Sequence, residues 1–321
     1  MGTINLDPVE EHLEARQLCA LIDRWLVARS GVSAKTHRAY RANIAHFVRW
    51  WESVGPTKDW ALTQTLLENF EVHLRSVIVE RTDAPLTYTT RRATVSTVRM
   101  MFRWAFEKNR VPRDYSSWLP WPPGAQSPRR PVTVEHLARL MLAAAQSSKP
   151  LRDQTLIAFF IGTGARLGEV AGLRVEDSTI LADSSGTARV TGKRTKKNKT
   201  GIHDIAFPAS TGKWLVRYMD ESGIDAGPLW PNNRGQPMSV NGVYMVVRRA
   251  IEDAKLYKDI KGCHDLRRAF ATILGKMYPG SPAWHDMIRR QLGHASYSMT
   301  AHYTNIGVDD IRDQIINPLD L

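Results

Sequence analysis

The stretch Gln291-Leu292-Gly293-His294-Ala295-Ser296-Tyr297-Ser298-Met299-Thr300-Ala301-His302-Tyr303-Thr304 sets a phenol nine residues after an imidazole. Leu292-Gly293-His294 reads as a helix closed by a glycine C-cap, with the imidazole at the exit. Tyr303 falls in a further short helix beginning near Ser298. Upstream, His264-Asp265-Leu266-Arg267 opens another helix, on which residues three apart share a face. Further upstream, Thr163-Gly164-Ala165-Arg166-Leu167-Gly168-Glu169 puts an arginine at the mouth of a helix, just after a glycine that permits a tight turn. An arginine there can fork onto phosphate oxygens and keeps its charge. Glu169, one turn on, reads as an ion-pair partner that orients a basic side chain. If these segments converge, two guanidiniums, two imidazoles and a phenol can hold a phosphodiester and attack it without a metal.

A free phenol ionises only near pH 10, so Tyr303 needs neighbouring cations or a base to lose its proton during attack. Arg166, Arg267, His264 and His294 would supply that field and hold the pentacoordinate phosphorane. A basic turn carries Lys193, Arg194, Lys196, Lys197 and Lys199. Most of these read as cations resting on DNA, but one lysine beside the scissile bond could protonate a departing 5′ oxygen. Cys263 beside His264 raises a thiol nucleophile as a rival, weakened because sequence neighbours rarely point the same way.

The composition fits a nucleic-acid partner. Across 321 residues, 44 Lys+Arg stand against 32 Asp+Glu, a net +12. The surplus is shared: residues 1–130 carry 19 basic and 13 acidic side chains and the remainder 25 and 19, so each part is +6. Two basic domains facing a polyanion fit this better than a basic tail does. Two cysteines are too few for a disulfide framework or a structural zinc site. The N-terminus lacks a secretory pattern, and no apolar run is long enough to predict a membrane span.

The periodicity predicts a mainly α protein with a small β region. Helices are expected at about 12–29, from Ser33 through Trp51, at 63–80 and at about 89–109. Tyr40, Ile44, Phe47 and Trp51 form one core stripe, and Val95, Val98, Phe102 and Ala105 another. Arg91, Arg92, Arg99 and Arg103 lie on the other side of the second. The prolines of residues 111–131 read as an interdomain linker between a helical bundle (1–110) and a mixed α/β domain (132–321). In that second domain a helix starts near Val132 and a buried one covers 156–161. Strands follow at 187–193 and 202–207, then helices at 239–255, 264–277, 284–292 and 298–304.

In this order and spacing, Arg166-Leu167-Gly168-Glu169, the basic hairpin, His264-Asp265-Leu266-Arg267, Leu292-Gly293-His294 and Tyr303 resemble the tyrosine recombinase (phage integrase) family over roughly residues 15–310. The resemblance implies a helical core-binding domain and a mixed α/β catalytic domain clamped around a duplex. It implies a site-specific DNA recombinase, active in integration and excision, that works through a 3′-phosphotyrosyl intermediate. Tyr303 would be the nucleophile, Arg166 and Arg267 the phosphate clamp, and His264 and His294 the phosphate's hydrogen-bond partners, His264 also as general base. Glu169 would support the site. Lys193 is favoured as the general acid, matching chromosome-resolving members, with Lys199 the alternative from phage members and Lys196 behind both.

No cofactor, ATP or metal is implied. The partners would be double-stranded DNA attachment sites, three further copies in a tetramer, and a DNA-bending accessory protein or directionality factor, in the nucleoid of a bacterial cytoplasm and away from any membrane. Lys35, His37, Arg38, Arg41, Thr90, Arg91 and Arg92 are the groove-facing candidates. Only about fifteen residues precede the first helix, so the arm-type DNA-binding domain of many phage members is expected to be absent. Residues 306–316 are expected to form a tail helix docking into a neighbouring protomer. A type IB topoisomerase-like relaxing enzyme and a chromosome or plasmid dimer-resolving recombinase are the alternatives.

Overall fold

A computed structural model describes residues 15–54, 62–80, 82–124, 130–192, 200–277, 281–293 and 318–320. The chain divides into two compact units, residues 1–128 and 129–321.

Among the described residues, the first unit has four α-helices: α1 (Ala15–Ala28), α2 (Ala34–Ser53), α3 (Gln64–Ser76) and α4 (Tyr88–Glu107). A short antiparallel pair, β1 (Ile78–Val79) and β2 (Ala84–Pro85), joins α3 to α4. Local chemistry starts three of these helices. Ser33, Thr63 and Thr87 each turn a hydroxyl back onto a first-turn backbone N–H, satisfying a donor that has no partner within the helix.

The core is aromatic. Phe47 meets Phe70 edge-on at 5.0 Å and Phe102 at 5.8 Å, and Phe102 meets Tyr115 at 5.7 Å. Each such buried ring contributes roughly 1.5–3 kcal/mol. The α2 stripe is shifted slightly from expectation: Ile44, Phe47, Trp50 and Trp51 are buried, while Tyr40 is half-buried against Trp25. The expected linker is corrected at its start. Val111, Tyr115 and Leu119 are buried in this core, around a single 3₁₀ turn at Tyr115–Trp118. Proline there prevents an α-helix without preventing a tight turn that buries its aromatic residue.

In the second unit, α5 (Val134–Ala145) leads to α6 (Pro150–Thr163), whose residues from Thr155 to Thr163 are all buried. α6 ends at Gly164 in the left-handed region, φ +63. A Cβ there would come within 2.7 Å of Phe270 and 2.8 Å of Leu292, so both the turn and the packing require glycine. The short α7 (Leu167–Ala171) follows, then an antiparallel sheet in the order β3 (Ser178–Ile180), β4 (Gly186–Thr191), β5 (Ile202–Phe207). Val190 pairs with His203 and Thr191 with Ile202, and Gly192 N–H closes onto Gly201 O at 2.8 Å. The expected hairpin is therefore present, and β3 extends it.

After the sheet come α8 (Ala209–Ser222), α9 (Val240–Asp253), α10 (Cys263–Met277) and α11 (Pro282–Gln291). The sequence reading missed α8. Gly212 suggests a break within it, but a Cβ at that position would overlap the Ser184 carbonyl oxygen, so the glycine serves close approach. The helices expected at 298–304 and 306–316 lie outside the described residues. At the C-terminal end, Leu319 packs on this unit's core and Ser210 Oγ donates to Asp320 at 2.6 Å. Among the described residues, no helix is long and apolar enough to cross a membrane.

Candidate active site

Two segments of the second unit, Gly164 to Arg166 and Leu292 to Gly293, lie side by side, and Gln291 holds them there. Its buried amide donates to Ala206 O at 2.8 Å and Thr163 O at 3.1 Å, while its Oε1 accepts from Ala206 N–H at 3.0 Å. One side chain thus ties α11 to β5 and to the end of α6. Its place within the quoted motif was visible, but this role was not.

Arg166 stands at the N-cap of α7. Its backbone N–H donates to Glu169 Oε2 and its Nη1 to Glu169 Oε1, both at 2.7 Å, and its Nη2 reaches Gly293 O at 3.2 Å. Glu169 is buried, so its charge is tolerated only because it is paired and hydrogen-bonded. Arg267 enters from α10, also buried, and donates from Nη1 to Gly164 O at 2.9 Å and from Nη2 to Leu292 O. Burial pushes its pKa down to about 10, the Arg166 charge adds to that, and Glu169 opposes it. Arg267 therefore stays charged at neutral pH beside a second guanidinium. Two buried or half-buried cations against one carboxylate make a site poised for an anion.

His264 is exposed in the first turn of α10, three residues before Arg267. That turn is anchored by buried Asp265, which accepts from Lys261 N–H at 2.8 Å and from Arg268 at 3.1 Å. Cys263 is buried, and burial raises its thiol pKa to about 12, which removes it as a nucleophile at neutral pH. Gly293 carries φ +59 and caps α11, its N–H reaching Arg290 O at 2.8 Å, so the glycine C-cap reading is correct. The structure brings together Arg166, Glu169, Arg267 and the backbone that runs into His294. Lys193, Lys196, Lys199, His294 and Tyr303 lie outside the described residues.

Residues 130–308 match the model of the phage integrase family, and residues 22–109 match that of the phage integrase N-terminal SAM-like domain. The chain belongs to the phage integrase family. It is 28% identical over 306 residues to the tyrosine recombinase XerD of Corynebacterium glutamicum, covering 94% of this chain and 97% of that protein. It is also 28% identical to tyrosine recombinase XerC 2 of Ralstonia nicotianae, covering 96% of this chain and 86% of that one. In fold it resembles a lambda integrase dimer bound to a COC′ core site, with a TM-score of 0.64 at 19% identity, over 90% of this chain and 99% of that one. The protein is a tyrosine recombinase, a site-specific enzyme that breaks and rejoins DNA. Its mainly helical architecture with small sheets is the one this family's motifs imply.

In this recombinase the groove-facing candidates divide by their surroundings. Lys35, Arg38 and Arg41 are exposed on α2. Arg92 is exposed on α4, its guanidinium 5.2 Å from the Trp121 ring, while Arg99 meets the same ring at 4.9 Å. Thr90 shares a 2.9 Å hydroxyl contact with the capping Thr87. Two further candidates, Arg91 and His37, are tied to neighbouring helices. Arg91 pairs at 2.9 Å with buried Glu71, which also holds Arg75, and its side chain is only 15% exposed. His37 Nε2 donates to Leu26 O at 3.2 Å, tying α2 to α1. The basic-face reading missed these partners because Glu71 is on another helix and Leu26 offers only a carbonyl.

Proposed function

We propose that Tyr303 is the nucleophile of this recombinase and that Arg166 and Arg267 clamp the scissile phosphate. Tyr303 Oη forms a bond to phosphorus, the bond to the 5′ oxygen breaks, and a 3′-phosphotyrosyl link is left. Lys193, or Lys199 in its place, gives the departing 5′ oxygen its proton. Attack by that hydroxyl on the phosphotyrosine reseals the strand, so bond energy is conserved without ATP. His264 and His294 hydrogen-bond the phosphate, His264 also accepting the Tyr303 proton as general base. Glu169 holds Arg166 in place. The observation that carries this reading is the convergence of Arg166 and Arg267 on Gly164 and Leu292–Gly293, over 100 residues apart in sequence. Fixed cations at the phosphate stabilise charge in the transition state without reorganising.

Strand exchange would then run between paired attachment sites in a tetramer, as the lambda integrase tetramer bound to a Holliday junction illustrates for that protein. The setting is a bacterial cytoplasm at the nucleoid, with a DNA-bending or directionality factor assisting. Integration or excision is the primary reading. The relatives named XerC and XerD favour chromosome or plasmid dimer resolution as the second. A cognate duplex nicked near the cleavage point traps the covalent adduct. Wild-type protein is expected to form it and Tyr303→Phe is not; an adduct persisting in the variant overturns the assignment.

A further inference from the structure

His203 has no part in the chemistry above, yet it lies within the site. It stands on β5 opposite Val190, just after the basic turn, with its side chain 21% exposed. Among the described residues nothing hydrogen-bonds its buried Nε2. That atom is 3.8 Å from Glu169 Oε1, too far for a hydrogen bond and near enough for its charge to be felt. Two glycines border the ring. A Cβ on Gly293 would lie 3.1 Å from Nε2 and 3.4 Å from Arg166 Nη1, and a Cβ on Gly192 would lie 3.3 Å from Cε1. Gly192 runs into Lys193 and Gly293 runs into His294. The imidazole therefore occupies the seam between the lysine-bearing hairpin and the segment leading to His294, with the Glu169–Arg166 pair beside it.

Each carboxylate oxygen accepts two hydrogen bonds, and Oε1 of Glu169 takes one from Arg166 Nη1 at 2.7 Å. We propose that His203 is a positioning residue for DNA cleavage: its Nε2 donates to the second lone pair of Glu169 Oε1. The carboxylate then holds the Arg166 guanidinium on one side and the hairpin on the other. Closing the gap takes a shift of about 1 Å. The inference rests on the cleavage reading given above.

Single-turnover cleavage of a nicked duplex at saturating protein tests it, with DNA affinity measured separately. His203→Phe keeps the ring's bulk and removes the donor. Cleavage is expected to slow by about 10- to 100-fold, the range of a hydrogen bond to a charged group, with affinity changed less than about twofold. His203→Gln, which offers a donor at similar reach, is expected to recover to within about threefold of wild type. In a Glu169→Gln background, His203→Phe is expected to add little, because the two act as one unit. Wild-type rates in His203→Phe, a His203→Gln variant no faster than it, or multiplying losses in the double variant overturn the proposal. If His203→Phe does not fold, His203→Ala takes its place in the same comparison. Absence of any Tyr303-dependent adduct in the wild type overturns the cleavage reading itself, whereas a failure confined to the His203 series overturns this inference alone.

Discussion

Replacing Gln291 by leucine removes three buried hydrogen bonds at once: Ala206 N–H to Oε1, and Nε2 to the carbonyls of Ala206 and Thr163. Leucine is close in size, so the loss is polar rather than steric. It strands one amide and two carbonyls away from water, each costing about 1–3 kcal/mol. Backbone relaxation keeps the total near the lower end, at about 3 kcal/mol. The functional effect should exceed the stability effect. Leu292 and Gly293 follow directly, and their carbonyls hold Arg267 and Arg166. Gln291→Glu adds a control, since a carboxylate keeps the acceptor for Ala206 N–H and loses both donors.

Urea unfolding, analysed separately for the two units, gives the stability change. Cleavage of a nicked duplex is then measured where each variant remains folded. Leucine is expected to lower stability of the second unit by about 3 kcal/mol and slow cleavage by at least about 100-fold, with glutamate also impaired. A leucine variant within about 0.5 kcal/mol of wild type and cleaving normally would show that Gln291 does not hold the two segments together.

Gly164→Ala forces a side chain into φ +63 against Phe270 and Leu292, so calorimetry should show a loss of about 2–4 kcal/mol; a neutral result would mean that the α6 terminus repacks freely. Asp286 holds Arg289 at 2.5 Å and Arg290 at 2.8 Å; burial alone would raise its carboxyl pKa, but the hydrogen bonds from Arg290 and Arg289 outweigh it and the value lies below normal. Its stabilisation is therefore full above the unfolded pKa near 4 and lost as pH falls through the lower folded value, so acid titration of stability below about pH 4 should be flatter for Asp286→Asn. For the general acid, a 5′-thiolated leaving group needs little protonation and should rescue Lys193→Ala; rescue of Lys199→Ala alone would assign the role to Lys199.

The proposed site was legible because its motifs are local. Arg166 with Glu169, His264 with Arg267, and Leu292-Gly293-His294 each combine a candidate side chain with a short spacing or a neighbouring glycine. Residues whose roles depend on distant partners were not. Gln291 satisfies backbone on β5 and α6, and no one-dimensional pattern records which carbonyls need a donor. His203 left a faint signal: on a strand of period two it shares a face with buried Ile205 and Phe207, an unusual place for an imidazole. Arg91 read as a surface cation because Glu71, twenty residues away, is brought beneath it only by packing. The start of the linker was misjudged for a similar reason. Proline signalled the end of α4's helical run, but not that Tyr115 would complete the aromatic core.

The proposed chemistry turns on covalent attachment of Tyr303 to a 3′ phosphate. Wild-type protein trapped on a nicked duplex, digested with protease and nuclease, yields a nucleotide-linked peptide that mass spectrometry can sequence. The modified peptide is expected to contain Tyr303, with the phosphate on its phenol oxygen and the nucleotide joined through its 3′ position. A link through any other residue, or through a 5′ phosphate, would contradict it.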